Sequence, residues 1–376
     1  MIYLDANATT PLDPQVLEAM LPSLSLHYGN PSSSHFAGRQ TRALIDTARD
    51  ELASVLGCKS HELIFTSGGT ESDNLAVLGL ARAHARKGRH LITCQTEHHA
   101  VLEAFEHLEK KEGFSVTKLG VSPSGLLDPE TLQAALRPDT TLVSIMSANN
   151  ETGVRHPVRK LSEICRKAGV LFHSDAVQSF GKEPLEMADF DALSLAAHKF
   201  YGPKGAGLLF LKGGIVLDAV QRGGNQEGQR RPGTENPAAI VGMASAAKLA
   251  VARMEEDAAR IAPLRDRLEA GVLEACPGVL VNGIGAPRMW NTLNVSFPAS
   301  DAESLLMSLD LEGVCASSGS ACMVGSMTPS HVLEAMGVPT ARAGSAVRFS
   351  LGRSLTPEDI EAAIGKVRRV WDRLRS

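Results

Sequence analysis

Short apolar runs alternate with amphipathic stretches through the first two thirds of the chain. Residues 62–66, 90–94, 115–118, 142–146, 170–173, 192–196 and 207–211 read as strands. Several are unbroken apolar runs, as expected of strands covered on both faces. Residues 40–56, 72–86, 100–111, 129–135 and 158–168 read as helices. In the last of these Leu161, Ile164, Cys165 and Ala168 recur at i, i+3, i+4 and i+7, which makes Cys165 a core residue rather than a reactive one. Strands alternating with helices predict an α/β layer on a mainly parallel, doubly wound sheet. A Gly-, Arg- and Gln-rich stretch, 223–237, then breaks the rhythm. Beyond it the spacing predicts a long helix over 237–272, kinked near Pro263, with a domain boundary inside it. A strand at 292–297, a helix at 301–311, a strand at 346–350 and a helix at 357–374 follow.

Composition narrows the function classes. At about 150 residues per domain, 376 residues predict two to three domains. Lys plus Arg number 38 and Asp plus Glu 42, a net charge of −4, which argues against a nucleic-acid binder. Aromatics are only 4%, so the core is aliphatic. Residues 1–14 have neither a basic start nor an apolar run, so no secretory signal is read. The weakly polar stretch 238–247 is too short to span a bilayer, and no membrane association is expected. The six cysteines are widely spaced without a CxxC pair, which predicts no disulfide framework and no zinc cage. His98 and His99 follow Cys94, but adjacent side chains diverge, and no intrinsic metal site is expected. Cytoplasmic residence is the expectation.

Three motifs carry chemistry. Thr66-Ser-Gly-Gly-Thr-Glu-Ser-Asp-Asn74 lies where a strand meets a helix. Its small residues and the helix N-terminus suit an anion, although a capped helix start has the same signature. Ala192 to Gly205 is an apolar strand ending in His198-Lys199, then a Gly-Pro-Lys-Gly turn. A lysine at the end of a buried strand is desolvated, which lowers its pKa as a Schiff-base amine requires; a lysine reaching water would be ordinary. Phe172-His-Ser-Asp-Ala-Val-Gln178 ends another apolar strand in Asp175. Carboxylates at such strand ends face ligands, or cap helices. A lysine Schiff base with an aspartate for the pyridinium nitrogen is the pyridoxal phosphate arrangement.

With these motifs in place, the sequence resembles the cysteine desulfurases of the iron–sulfur and nitrogen-fixation type, in class V of the pyridoxal phosphate aminotransferases. The likeness extends to Tyr3–Pro11, Gly29-Asn-Pro-Ser32, Thr96-Glu-His-His-Ala-Val101, Asn149-Asn-Glu-Thr-Gly153, Arg230–Asn236, Ser317-Ser-Gly-Ser-Ala-Cys322 and Arg348-Phe-Ser-Leu-Gly-Arg353. It implies pyridoxal phosphate fold type I, with a large cofactor-binding domain, 15–257, and a small α+β domain, 1–14 with 258–376. By the resemblance, Lys199 would hold the cofactor and later move protons, and Asp175 would keep the ring nitrogen protonated. Gln178 would bond the ring's phenolic oxygen. His98 would stack on the ring and act in acid–base catalysis. Gly69, Thr70 and His198 would line the phosphate cup. Thr234 would reach the phosphate of the partner subunit's cofactor in a homodimer. Asn150 and Arg353 would grip the substrate carboxylate. Cys322 would be the nucleophile that takes sulfur from L-cysteine, leaving L-alanine and a persulfide.

The persulfide would pass to an acceptor such as an iron–sulfur scaffold, with Cys322 the candidate for a transient iron–sulfur ligand in that complex. A selenocysteine lyase, or another class V lyase or transaminase, is the alternative, against which Cys322 argues. The chain departs from the family pattern at Ala196, where many members carry a phosphate-binding hydroxyl, and at Met323-Val-Gly after Cys322. It stops soon after Trp371, so docking of a scaffold through a C-terminal tail is not expected.

Overall fold

The computed structural model describes residues 1–298, 300–319 and 329–375. The seven predicted strands form one sheet. Across it lie, in spatial order, Leu63–Thr66, Gly207–Leu211, Ala192–Ala196, Leu171–Asp175, Thr140–Ser144, His90–Cys94 and Ser115–Leu119. Gly207–Leu211 runs antiparallel to both neighbours, and every other pairing is parallel. Neighbouring strand residues alternate between two cores. Ile64, Leu91, Leu142 and Leu209 pack on one face with the helices Gly69–Ala83 and His99–Glu112. Phe65, Ile92, Val143 and Phe210 pack on the other with Phe36–Leu56, Val158–Ala168 and Pro237–Ala252. Burial of both faces is what made these strands read as continuous apolar runs. Cys165 is fully buried in the second core, and burial pushes its thiol up to about 12.

After Ser115–Leu119 the chain returns to the far side of His90–Cys94 to add Thr140–Ser144. The crevice at such a reversal, beyond the carboxyl ends of the strands, is where ligands sit in open α/β sheets. His98 follows one of these strands, and Met146 to Asn150 follow the other.

A separate apolar core lies on the antiparallel sheet of Ala346–Ser350, Thr292–Ser296 and Leu280–Val281. The helices Met254–Ala275, Ala302–Leu311 and Pro357–Arg375 cover it, and Ile2 and Leu4 enter it from the N-terminus. Ile2–Tyr3 pairs in parallel with Val314–Cys315.

The long helix breaks at Arg253, not at Pro263. Pro237–Ala252 and Met254–Ala275 meet at 68°, and Pro263 lies inside the second helix. Arg253 leaves helical geometry at φ −100 and ψ 0. Glu255, Glu256 and Asp257 open the next helix, where acidic residues complement the dipole. No single helix among the described residues is long and apolar enough to cross a membrane.

Candidate active site

Asp175 is the last residue of Leu171–Asp175, and Lys199 ends the short turn that follows the adjacent strand, Ala192–Ala196. The pairing Asp175↔Ser194 places the acid and the amine at neighbouring strand ends. Lys199 Nζ donates to the carbonyls of Asn7 at 2.7 Å and Ala8 at 2.8 Å. Asn7 is itself tightly held. Its Nδ2 donates to Asn150 O at 3.1 Å and to Thr292 Oγ1 at 2.9 Å. Asn291 Nδ2 donates to its Oδ1 at 3.0 Å. The N-terminal segment thereby joins the sheet edge to the antiparallel layer.

Asp175 is buried, and Oδ1 accepts from the Val177 N–H at 2.8 Å. Desolvation pushes its carboxyl up to about 6, opposed by that N–H and by the Lys199 charge. Asp73 and Glu97 lie buried nearby and are both raised well above the carboxylate range by desolvation. Desolvation disfavours the charged forms of Asp73 and Glu97, while the Val177 N–H and the Lys199 charge act against it at Asp175.

His98 caps the helix His99–Glu112, and its Nδ1 accepts from the Ala100 N–H at 3.1 Å. The proton of the neutral ring is therefore on Nε2. Burial, with the nearby charges of Lys199, His99 and His331, pushes His98 down to about 4, so the ring is neutral. His198 is likewise pushed down to about 4, by burial first and then by Lys199 and Lys204.

These groups enclose a cavity of about 380 Å³. Gly69, Thr70, His98, Asn150, Asp175, Gln178, Ala196, His198 and Lys199 all line it. The helix Gly69–Ala83 starts there without a side-chain cap, leaving its first N–H groups for an anion. Gly69 approaches Val177 closely, and a Cβ on it would come within 2.9 Å of Val177 Cγ2. An uncapped helix start, a buried acid and an amine around one cavity fit a phosphorylated pyridine aldehyde.

Arg353 does not line this cavity. Its Nε donates to Asp257 Oδ2 at 2.6 Å, and its guanidinium lies 4.1 Å from the Tyr201 ring centroid. Arg348, from the same motif, does line it. Arg348 is buried on Ala346–Ser350, donates to Asn150 O at 3.0 Å and Asp5 Oδ1 at 2.8 Å, and leaves Nε without a hydrogen-bond partner among the described residues. Both arginines belong to one short motif, and spacing alone does not say which faces the cavity. Thr234 is exposed and outside the cavity. Cys322 lies outside the described residues. Asn7, His99, Glu151 and His331 also line the cavity and were not singled out by sequence. His99, Asn7 and Glu151 lie inside stretches that carry the resemblance, but no residue-level signal marked them out, and none marked His331.

The class-V aminotransferase family model matches residues 2–363. A cysteine desulfurase IscS of Dictyoglomus turgidum is 46% identical over all of this chain and 95% of its own length. The solved structure of a NifS-like protein superposes with a TM-score of 0.92 at 36% identity, covering 99% of each chain. A structure titled SspA in complex with cysteine has a TM-score of 0.81 at 34% identity, over 93% of this chain and 99% of that one. The chain belongs to the class-V aminotransferases and, within them, to the cysteine desulfurases. Its fold is pyridoxal phosphate type I, and its cofactor is pyridoxal phosphate.

Proposed function

We propose that the chain removes sulfur from L-cysteine, releasing L-alanine and leaving the sulfur as a persulfide on Cys322. One observation carries the residue assignment: Lys199, Asp175, His98 and an uncapped helix start converge on a single cavity. The bound cofactor supplies an electron sink for the bond-breaking at the substrate's α-carbon. Lys199 binds the cofactor and shuttles the α-proton. Asp175 holds a proton on the ring nitrogen. His98 presents a neutral ring with its Nε2 proton available, and Gln178 holds the phenolic oxygen. Gly69, Thr70 and His198 bind the phosphate; Ala196 adds no hydroxyl there. Arg348 and Asn150, rather than Arg353, hold the substrate carboxylate. The Cys322 thiolate attacks the substrate sulfur, the S–Cβ bond breaks, and the carbon keeps the electron pair and takes a proton.

The reading extends to assembly. A homodimer is supported by an exposed apolar stripe, Leu17, Leu21 and Leu24, continued by Leu26, Tyr28 and Phe36. Thr234, exposed in one chain, then has a partner site to reach. The two cores support a larger unit, 15–257, and a smaller one, 1–14 with 258–376. A persulfide acceptor such as an iron–sulfur scaffold completes the sulfur transfer, in a cytoplasm that keeps the thiols reduced.

The test is to incubate purified protein with L-cysteine, quantify alanine, and weigh the Cys322 peptide. One added sulfur on that peptide is expected, absent in Cys322→Ala. Alanine and sulfide release by Cys322→Ala at the wild-type rate would overturn the role of Cys322.

A further inference from the structure

Lys182 is a desolvated amine with no obvious reason to be where it is. It follows the turn that carries Gln178, and the Trp290 indole donates to its carbonyl at 2.9 Å. Its Nζ donates to Gln178 O at 3.0 Å and to Gln178 Oε1 at 3.4 Å. Among the described residues no carboxylate pairs with it. The Gln178 amide is thereby polarised in one sense. With Oε1 accepting from the Lys182 amine, the other end is the donor, and Nε2 donates to Asn7 O at 3.0 Å. That same carbonyl accepts from Lys199 Nζ at 2.7 Å. A hydrogen-bonded path therefore runs from Lys182 through the Gln178 amide and the Asn7 carbonyl to Lys199. A second small cavity, about 20 Å³ and large enough for one water, lies against both lysines on the side away from the main cavity.

We propose that Lys182 is a positioning residue of the reaction: it fixes the Gln178 amide with Nε2 as the inward donor, and its charge favours the uncharged form of Lys199. The proposal rests on the assignment of Lys199 and Gln178 made above. An inward donor suits an anionic ring oxygen, whereas a flipped amide would present a second acceptor and repel it. Two amines in one desolvated region lower each other's basicity, a known route to a nucleophilic lysine. Lys182 is itself pushed down to about 7, by burial and then by Lys199. The other charges facing it keep that balance. Glu183 beside it is engaged by Arg155, and Arg348 faces it from Ala346–Ser350. Across the small cavity Asp257 and Arg353 neutralise each other.

The experiment is a pH titration of the visible absorbance of the cofactor bound through Lys199, in wild type, Lys182→Met and Lys182→Arg. The midpoint is expected to rise by about one pH unit in Lys182→Met and to return toward wild type in Lys182→Arg. Alanine formation at neutral pH should fall about tenfold in kcat in Lys182→Met, with KM for cysteine changed less than about twofold. A Lys182→Met midpoint equal to wild type, with kcat unchanged, overturns the proposal. Should Lys182→Met not fold, Lys182→Gln gives the same reading. Wild-type protein without a pH-dependent visible band would instead overturn the assignment of Lys199, a separate result.

Discussion

Arg348 and Arg353 lie five positions apart and do different work. Arg348 reaches the cavity and keeps Nε unpartnered, a desolvated donor that a carboxylate would satisfy. Arg353 lies outside the cavity, bonded to Asp257 and set against the Tyr201 ring, although its Nη1 is also without a hydrogen-bond partner among the described residues. Charge-assisted hydrogen bonds of about 2–3 kcal/mol correspond to roughly a hundredfold in binding. Arg348→Gln is therefore expected to raise KM for cysteine about a hundredfold while the cofactor band persists. Arg353→Gln should lower the melting temperature and leave KM near wild type; the opposite pattern would return the carboxylate to Arg353. Lys199 and Asp175 were legible because each ends an apolar run, where a charge stands out. Arg348 was not, since an arginine inside a strand reads as an outward residue until the layer above it is known. His156 was equally silent. It is buried, its Nδ1 accepts from Leu127 N–H at 3.4 Å, and its Nε2 has no partner. Burial pushes it down to about 4. A histidine lowered in the folded state binds its proton later than in the unfolded chain. Its penalty is absent above about pH 6.5 and grows as pH falls toward about 4. His156→Gln removes the titration while keeping a side chain that hydrogen-bonds. Its stability relative to wild type should improve by on the order of 3 kcal/mol between those limits, measured by urea unfolding at several pH values. The difference between the two proteins cancels the buried carboxyls, which titrate the other way. A pH-independent difference would show that His156 does not titrate on unfolding.

Among elements, the strands were legible and the connections were not. Ile64 and Phe65, or Leu142 and Val143, face opposite cores, so the sequence shows unbroken apolar runs that a helix of such shortness would not need. The helix Pro14–Ser25 escaped because it contains Pro22 and buries only Val16, which leaves no apolar face toward the core to read. Ile2–Tyr3 and Leu280–Val281 are two-residue strands, below any periodic signal. The aperiodic stretch before Pro237–Ala252 is fastened by ion pairs instead of packing. Buried Glu227 takes a fork from Arg49, with contacts of 2.9 and 2.5 Å, and accepts from Phe65 N–H at 3.0 Å. Arg42 holds Glu235 at 2.6 Å, and Arg231 holds Glu71 on the helix that starts at Gly69 at 2.7 Å. These contacts position Thr234 from both sides. Removing one partner of a buried pair leaves the other charge desolvated, at a cost of about 3 kcal/mol or more. Glu227→Ala is expected to destabilise by that amount and to speed amide exchange across 225–236. An unaltered melting temperature would mean that the stretch is held by something other than Arg49.

At the scale of the whole molecule, the apolar stripe on Pro14–Ser25 is the feature one chain leaves unexplained. Leu17, Leu21 and Leu24 recur at i, i+4 and i+7 and are 45, 50 and 61% exposed, while Val16 beside them is fully buried. The helix thus buries Val16 alone, packs inward on Pro237–Ala252 and is bare outward. Leu26, Tyr28 and Phe36 extend the outward face, at 70, 84 and 67% exposure. Contiguous apolar surface of this kind marks an interface. A two-fold contact pairs a patch with itself, which a continuous stripe permits. The joint substitution Leu21→Glu and Leu24→Glu sets like charges against each other across such a contact and leaves the buried Val16 untouched. Light scattering should then give the mass of one chain where wild type gives two. Because Thr234 is exposed in a single chain, the monomer should also lose cofactor faster on gel filtration, with its melting temperature before loading near that of wild type. A wild-type mass of one chain, or a dimer that survives both charges, would place the partner on some other face.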